Sequence, residues 1–472
     1  GVRSTADFYI DGMRDDVQYF RPLYNLAQVE VLRGPNALLF GRGGTGGVLN
    51  RVTKKAQLDQ GFTTSQLSVD SLGELGGQID HNRVISDSVA LRINAMVERL
   101  DNHRDFYDGD RVGVNPTLHI ESGDSVIDLS YEYVDHQRFI DRGIPTGSDG
   151  RPVEAFEKIV FGDPDVNTTA LKAHLWRASV QHSFSDTLKG NIAAFYGDYD
   201  KLYQNFYAAA YDQAQTPDEV TLDGYVDTTQ RQNTILSANL IGESGFAGMQ
   251  HTLLAGVEFI DTSSDQDRWN TFWDTTEDDK ETFSLTRNLG LEGGVGLNAL
   301  GNVATNSFDS DINDDTDVSI DVTSIYLQDE LTLTDYLQVV VGLRYDSFDI
   351  KVFNVPADET RSRKDSEVSP RFGVVYKPID EISIYASYSE SFLPRSGEQF
   401  ANINGSNDEL APNTFGNREV GVKYDFASGL SFTAALFEIE QRSPQVADND
   451  PATLDVIESE IDGFELQLQG RV

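Results

Sequence analysis

The stretch SVALRINAMVERLD, residues 88–101, has an apolar side chain at every second position. Its apolar face is made of Val89, Leu91, Ile93, Ala95 and Val97. The opposite face carries Arg92, Asn94 and Glu98, with Met96 among them. Side chains of an extended chain alternate between two faces, whereas side chains of a helix return to the same face about every 3.6 residues. The period of two therefore predicts a β-strand with one apolar and one polar face.

The same alternation recurs from about residue 60 onward, in about sixteen segments. Clear examples are SVIDLSYEYVD at 125–135 and NREVGVKYD at 417–425. Many segments are about 10 to 18 residues long, whereas strands of globular proteins usually have about 5 or 6. About ten residues with one apolar face is the length that a membrane-crossing strand needs. The segments therefore favour a membrane barrel over a soluble sandwich.

Short and long connections alternate between these segments. The short ones are 85–88, 121–125, 184–187, 243–248, 333–336, 377–381 and 425–429. The long, polar ones are 101–111, 137–169, 205–230, 264–317, 353–367, 393–415 and 442–459. Outer-membrane barrels have short periplasmic turns and long extracellular loops, and they close because lipid offers no hydrogen-bond partner to an open sheet edge. The chain is therefore predicted to be an all-β membrane protein.

The composition excludes several classes of function. The formal net charge of −40 repels nucleic acid. The chain has no cysteine, so it has neither a thiol nucleophile nor a Cys-ligated metal. Its seven His lack zinc-site spacing. A calcium loop that started at Asp309, in the acidic run 309–317, would have Asp314 and Ile320 where such a loop needs Gly and Glu. We therefore predict no nucleic-acid partner, no metal site, no cofactor and no enzymatic activity.

Residues 1–58 do not follow the alternating pattern. They are rich in glycine, mixed in polarity, and precede the first long strand. A barrel of this size has a wide lumen. The segment is therefore predicted to be a plug inside the barrel.

The run VEVLRGPNALLFGRGGTGGVLNRVTKKA at 29–56 closely resembles the plug signature of TonB-dependent outer-membrane receptors, in particular the siderophore-receptor group. FYIDGMRDD at 8–16 matches the same plug, and YSESFLPRSGEQF at 388–400 and NREVGVKYD match later barrel strands. The resemblance covers essentially the whole chain in order. It implies the C-terminal half of an α+β plug domain at 1–58 and a large antiparallel transmembrane β-barrel at 59–472.

The family's barrel has about 22 strands, within the range of outer-membrane barrels. The resemblance therefore implies that about six strands follow Val472. It also implies that an energy-coupling box and the first half of the plug precede Gly1. The chain is interpreted as incomplete at both ends.

Gly41, Gly43 and Gly46 spell G-x-G-x-x-G, the dinucleotide-binding fingerprint. That fingerprint needs a helix after its last glycine. Here the β-branched run GGVLNRVTKK follows, which predicts a strand. The glycines are therefore interpreted as turn residues of the plug, with Phe40 and Arg42 at a loop tip.

The resemblance implies a chelate-binding vestibule between plug loop tips and aromatic residues of the barrel. The matching plug positions are Arg14, Asp15, Asp16, Phe40 and Arg42. The matching barrel positions are Tyr203, Phe206, Tyr207, Trp269, Phe272 and Trp273. Aromatic faces and Arg suit an anionic iron chelate with planar groups. The alternative is that these aromatic residues form the interfacial girdle of the barrel.

A second predicted constellation holds the plug in place. Arg33 lies in the plug motif, and the strand parity of Glu419 turns its carboxylate toward the lumen. Glu390 is a second candidate from the resemblance. Its parity groups it with apolar Ile384, so it faces the lumen only if a bulge intervenes. The alternative is a set of independent, solvated charges.

The resemblance implies an active transporter that binds a ferric siderophore, carrying iron only as the chelate, and is driven by a TonB-type inner-membrane protein. The expected location is the bacterial outer membrane, in contact with its lipid, as a monomer. Three alternatives stay open: a receptor of this type for cobalamin or an oligosaccharide, a passive porin-like channel, and a soluble nucleotide-binding enzyme.

Overall fold

The computed structural model describes residues 7–15, 17–32, 41–43, 47–246, 248–285, 295–394, 411–426, 429–446 and 454–470. A small sheet lies at the N-terminal end, and a large barrel follows. The strands of the small sheet are β1 (Asp7–Ile10), β2 (Met13–Arg14), β3 (Leu26–Leu32) and β4 (Val48–Thr53). Within the ranges just given, we find no helix with the length and hydropathy of a membrane-crossing helix.

The barrel sheet begins at Phe62 and continues to the end of the described chain. Its first strands are β5 (Phe62–Val69), β6 (Leu75–Ser86), β7 (Val89–Asp101), β8 (Asp108–Ser122), β9 (Ser125–Phe139), β10 (Thr168–Ser185), β11 (Leu188–Ala210), β12 (Glu219–Phe246) and β13 (Met249–Trp273). The remaining strands are β14 (Glu281–Ser284), β15 (Val295–Leu297), β16 (Val303–Thr334), β17 (Leu337–Asn354), β18 (Glu359–Ile379), β19 (Ile382–Leu393), β20 (Asn413–Asp425), β21 (Leu430–Val446) and β22 (Leu454–Gly470).

The barrel is closed, with β22 beside β5. The short strands β14 and β15 pair with the ends of β12 and β16, and β13 pairs directly with β16. The other sixteen strands of the described sheet form the wall, and their registered pairings are antiparallel. The predicted fold class, a large antiparallel barrel with an N-terminal plug, is confirmed.

The small sheet has the order β2-β1-β4-β3, with β1 parallel to β4. The described plug residues form strands and turns without a helix, so the helical part of the α+β prediction has no counterpart there. The small sheet ends at Thr53 and the barrel begins at Phe62. The domain boundary at residue 58 stays a prediction.

The seven predicted short turns all connect consecutive wall strands, such as Ser86 to Val89 and Ser122 to Ser125. The predicted long loops are shorter than expected in several places. β16, for example, begins at Val303 inside the predicted loop 264–317, and β17 and β18 leave only residues 355–358 between them. Beyond the membrane a strand is wetted on both faces, so the polar–apolar alternation disappears while the backbone ladder continues.

The two faces of the wall differ in what they contact. Exposed apolar side chains of the outer face include Ile192, Leu236, Phe259, Ile325 and Leu343. On the inner face, residues of β9–β13, β16 and β17 form one buried cluster with Ile10, Met13 and Val17 of the plug. The small sheet therefore sits in the lumen, against this part of the wall.

Candidate functional site

The two faces of β11 separate the predicted ligand residues. Phe195 and Tyr199 pack in the cluster that contains the plug, so the odd-numbered residues of β11 face the lumen. Tyr203 and Tyr207 share this parity, and the pairing with β12 passes through them without a register shift. Phe206 has the opposite parity. The structure therefore turns two of the predicted tyrosines inward and the intervening phenylalanine outward.

Arg142, Tyr203, Tyr207, Tyr225 and Arg268 form what we call the vestibule cluster, at the end of the barrel where the long loops lie. The rings of Tyr203 and Tyr225 are 5.9 Å apart and inclined by 20°. The Arg142 guanidinium lies 4.0 Å from the centre of the Tyr207 ring, and that of Arg268 lies 4.5 Å from the Tyr225 ring. Tyr225, Arg142 and Arg268 were not predicted, because no sequence motif marks them.

The two arginines of the vestibule cluster differ in their partners. Arg268 donates two hydrogen bonds of 2.5 Å to the carboxylate of Asp227. Nη1 of Arg142 donates to the Tyr225 hydroxyl and to Asn205 Oδ1, each at 3.3 Å. The contacts described for Arg142 are thus with neutral groups, and the residue is exposed. A guanidinium in this situation keeps its capacity to pair with an anion.

Phe206 has the parity of the outer face, and Trp273 packs against it. The two side chains are buried, at 1% and 0% exposure. Their rings are 5.6 Å apart, and Phe206 also lies 5.0 Å from Phe308. Phe283 packs edge-on against Trp273 at 5.3 Å. The expectation that Phe206 and Trp273 contact a ligand is therefore corrected: a dry apolar cluster, which packs the loops onto the strand ends, encloses both rings.

Trp269 and Phe272 are half-buried residues of β13. Phe259 of the same strand is exposed on the outer face, and the pairing with β12 continues without a register shift to Asn270, so the parity of Trp269 turns it outward. The pairing with β16 shifts register between Asn270 and Phe272, so parity assigns no face to Phe272. Their contact with a ligand stays a prediction.

The described plug positions of the predicted site are buried. Arg14 is 7% exposed and donates to the Tyr9 hydroxyl and to the backbone carbonyl of Arg42. Arg42 is 5% exposed, and its guanidinium lies 5.0 Å from the ring of Phe348 in the barrel wall. These two arginines hold the plug together and against the wall, so the expectation that they form exposed loop tips is corrected. Two further predicted positions lie outside the described residues: Asp16 and Phe40.

Asp15 is fully buried and is the centre of what we call the Asp15 hub: Asp15, Tyr19, Arg21, Arg51 and Tyr199. Oδ2 of Asp15 accepts hydrogen bonds from Arg21 Nε at 3.0 Å and Arg51 Nη2 at 2.5 Å. The Tyr19 hydroxyl donates to the same oxygen at 3.0 Å. The hydroxyl of Tyr199, from the barrel wall, donates to Oδ1 at 3.2 Å. Asp15 therefore joins plug to barrel instead of facing the vestibule as expected.

The ionisation of Asp15 follows from this geometry. Burial by itself would raise the pKa of the carboxyl. The charges of Arg21 and Arg51, with hydrogen bonds from Arg21 and Tyr19, outweigh burial and hold the pKa of Asp15 below its ordinary value. The same hub holds the pKa of the Arg51 guanidinium above its ordinary value, although burial opposes this. The hub is thus a carboxylate compensated by two guanidinium groups.

Phe20 is an exposed aromatic residue in the described part of the plug, and it was not among the predicted site residues. Its ring is 55% exposed and stacks on His136 of β9 at 5.9 Å. The Arg111 guanidinium of β8 lies 4.1 Å from the same ring. The run YFRPLY at 19–24, which places aromatic residues beside Pro in a non-strand segment, is a signal that could have found it.

Further polar contacts fix the plug to the wall. Lys54 of the segment after β4 pairs with Asp80 of β6 at 3.1 Å. Arg177 of β10 pairs with Glu132 of β9 at 3.0 Å and with Asp11 of the plug at 3.4 Å. Such buried or half-buried pairs orient the plug more than they stabilise it, because desolvation offsets much of the attraction.

Arg33 lies outside the described residues, so the predicted lock between Arg33 and the barrel carboxylates stays a prediction. Glu419 accepts a hydrogen bond from the hydroxyl of Tyr385. Glu390 accepts one from Tyr388 and has the parity of exposed outer-face residues. β19 and β20 pair without a register shift. The lumen-facing assignment of Glu390 is therefore wrong, because the bulge that it required does not occur.

The glycine motif has a structural role. Gly41 and Gly43 have φ of 75° and 88°, a region that side chains disfavour. A Cβ on Gly43 would also lie 2.2 Å from Asp7 Oδ2. A strand, β4, follows the motif, so the expected helix of a dinucleotide site is replaced by the strand that the sequence predicted.

Comparison with protein families gives two matches. Residues 113–471 match the family described as TonB dependent receptor-like, beta-barrel. Residues 1–48 match the TonB-dependent Receptor Plug Domain. The first match covers most of the chain, and the two occur in the order in which the small sheet and the barrel occur.

Individual relatives agree with these matches. The probable TonB-dependent siderophore receptor PiuA of Acinetobacter baumannii is 23% identical over the whole of this chain and 66% of its own length. The catecholate siderophore receptor Fiu of Escherichia coli K12 is 24% identical over the same shares. The chain thus spans 66% of the length of these relatives.

Solved structures show the same fold. The crystal structure of PiuA matches with a TM-score of 0.83 and 23% identity, covering 99% of this chain and 69% of the other. These relatives are named as receptors, which agrees with the prediction that this chain is not an enzyme. The chain belongs to the family of TonB-dependent receptors.

Proposed function

We propose that the protein is an outer-membrane receptor that binds a ferric siderophore at the vestibule cluster and imports it through the plugged barrel. A TonB-type inner-membrane protein supplies the driving force by pulling on the plug. The observation that carries the proposal is Arg142, an exposed guanidinium with neutral partners among inward-facing tyrosines. It stands in a barrel whose lumen holds a plug.

The chemistry of the vestibule cluster supports an anionic, planar-ligated cargo. Tyr203 and Tyr207 turn aromatic rings inward, and Arg142 adds a positive charge beside them. Aromatic faces stack on planar chelating groups, and a guanidinium pairs with their negative charge. The relatives PiuA and Fiu, which are named as siderophore receptors, support the same cargo class.

The plug contacts support active transport over passive diffusion. Asp15 is bonded to Tyr199 of the wall, and Asp11 to Arg177, so a path past the plug requires these contacts to rearrange. A passive channel would need no such plug. Ligand-independent conductance of the full-length protein in a planar bilayer would support the channel in place of the receptor.

A binding screen tests the proposed function. The full-length protein is titrated with ferric tricatecholate, ferric trihydroxamate, ferric citrate and cobalamin. We expect a ferric chelate to bind, and Arg142→Gln to weaken binding of an anionic chelate about tenfold or more. Arg151→Gln, which removes an exposed guanidinium elsewhere in the same loop, should leave the affinity unchanged. Binding of cobalamin alone would refute the cargo.

A further inference from the structure

Arg104 lies in the connection between β7 and β8, and its side chain reaches into a different loop. We call that second loop, residues 140–167 between β9 and β10, the cap loop. Nε of Arg104 pairs with the Asp141 carboxylate. Nη1 donates to the carbonyl of Glu157, and Nη2 donates to the carbonyl of Ile159 at 2.7 Å. All three guanidinium nitrogens thus bond to the cap loop.

The backbone of Arg104 is itself held by a tight turn. Its N–H donates to Asn102 Oδ1 at 2.7 Å, and the N–H of Tyr107 donates to the Arg104 carbonyl at 3.3 Å. The side chain of Arg104 is 14% exposed. The Arg104 guanidinium is planar, its backbone is held, and its three nitrogens bond to three acceptors of the cap loop. The side chain and the bonded part of the loop therefore have few alternative arrangements.

The far parts of the cap loop are fixed as well. Phe156 packs against Phe161 and Tyr211, with ring centres 6.0 and 5.0 Å away. The Asn167 amide donates to the carbonyls of Ile140 and Phe206 at 2.9 and 3.0 Å. The loop is therefore packed onto the strand ends rather than free to swing.

Asp141 connects Arg104 to the vestibule cluster. One carboxylate oxygen of Asp141 pairs with Arg104, and the other accepts the N–H of Gly143 at 2.8 Å. Arg142 lies between these two residues in the chain and reaches Tyr207 and Tyr225. The short turn around Arg142 is thus closed by the carboxylate that Arg104 holds.

We propose that Arg104 is a positioning residue that, through Asp141, pins the cap loop and fixes Arg142 in the vestibule cluster. The cap loop is accordingly a fixed support of the site and not a lid. The consequence for binding rests on the proposed function, whereas the consequence for the loop does not.

The first experiment tests, without ligand, whether Arg104 holds the cap loop in place. The chain has no cysteine, so Ser148→Cys and Asp200→Cys place a pair of spin labels on the cap loop and on β11 of the full-length protein. We expect a narrow distribution of distances between the two labels, which Arg104→Gln broadens. Arg104→Lys should broaden it less, because lysine keeps the ion pair with Asp141 but cannot also donate to both backbone carbonyls. Arg151→Gln in the same loop is the matched control. An unchanged distribution in Arg104→Gln would overturn the proposal.

The second arm measures affinity for ferric tricatecholate, an anion, and for a neutral ferric trihydroxamate. We expect Arg104→Gln to weaken binding of the anion about fivefold and to leave the neutral chelate unchanged. In the Arg142→Gln background, Arg104→Gln should add no further loss. An additive loss, or an equal loss for both chelates, would refute positioning through Arg142. If the unmodified protein binds no chelate, the proposed function fails. The distance measurement still decides whether Arg104 holds the cap loop in place.

Discussion

The Asp15 hub and the vestibule cluster both combine arginine with tyrosine, yet they differ in the partners of their charged groups. In the hub, two guanidinium groups and two hydroxyls converge on one fully buried carboxylate. In the vestibule cluster, Arg268 pairs with Asp227, and both side chains are partly exposed. Arg142 faces neutral partners.

This difference separates a cluster that holds the plug in place from a cluster that is suited to bind a ligand. A buried charge that loses its partner is costly, so the hub tolerates little change. An exposed ion pair contributes little to stability, because water and side-chain entropy offset it. The vestibule cluster can therefore exchange partners, whereas the hub fixes the plug to the wall through Tyr199.

The largest expected effect comes from Asp15→Asn. The substitution leaves Arg21 and Arg51 buried beside a neutral amide, so we expect it to destabilise the plug by about 3–5 kcal/mol. Hydrogen exchange of residues 7–15 and 48–53 measures the loss of protection. Asp59→Asn, which removes an exposed carboxylate, is the control and should change nothing. Unaltered protection in Asp15→Asn would contradict the role of the hub.

Asp227→Asn removes the carboxylate partner of Arg268 in the vestibule cluster and should have a smaller effect. Because the side chains of Arg268 and Asp227 are 42% and 30% exposed, we expect a loss of stability below about 1 kcal/mol. Arg268 would lose its carboxylate partner, so affinity for an anionic ferric chelate should rise a few-fold. Calorimetric titration checks the affinity, and thermal unfolding checks the stability. A loss as large as that of Asp15→Asn would break the comparison between the two clusters.

The smallest expected effect is the pH dependence of the hub. The folded pKa of Asp15 lies below its ordinary value, so its contribution is fully present above about pH 4 and is lost as the pH falls through the folded pKa. The contribution of Asp15 to the hydrogen-exchange protection of the plug should therefore be constant from about pH 7 to about pH 5. It should fall on further acidification. Asp15→Asn should lack this acid-sensitive component, as hydrogen exchange across a pH series would show.

The fold was largely predictable because strand parity is a local property. The alternation in 88–101 predicts β7, and the short turn at 85–88 matches the connection from β6 to β7. The same parity allows Glu390 to face the lumen only if a bulge intervenes, and β19 and β20 pair without a register shift. The extent of the loops was less predictable, since β16 continues through acidic sequence that lacks alternation.

The site was less predictable because its neighbours are distant in sequence. Aromatic residue type suggested Tyr207 and Phe206 equally, and only their opposite parity separates the inner vestibule from the outer apolar cluster. Arg142 lies in a loop without periodicity, and its contacts join it to Asn205 and Tyr225, 63 and 83 residues away.

The sequence by itself determined a plugged antiparallel barrel, the order of its turns, and the turn-forming role of the glycines near residue 43. Side-chain alternation and glycine content express these properties within a few residues. Tertiary structure alone decided that Asp15 is a buried anchor bonded to Tyr199, 184 residues away, and that Arg142 stands among the tyrosines. Burial and charge pairing arise from the packing of plug and loops against the wall, which no local pattern encodes.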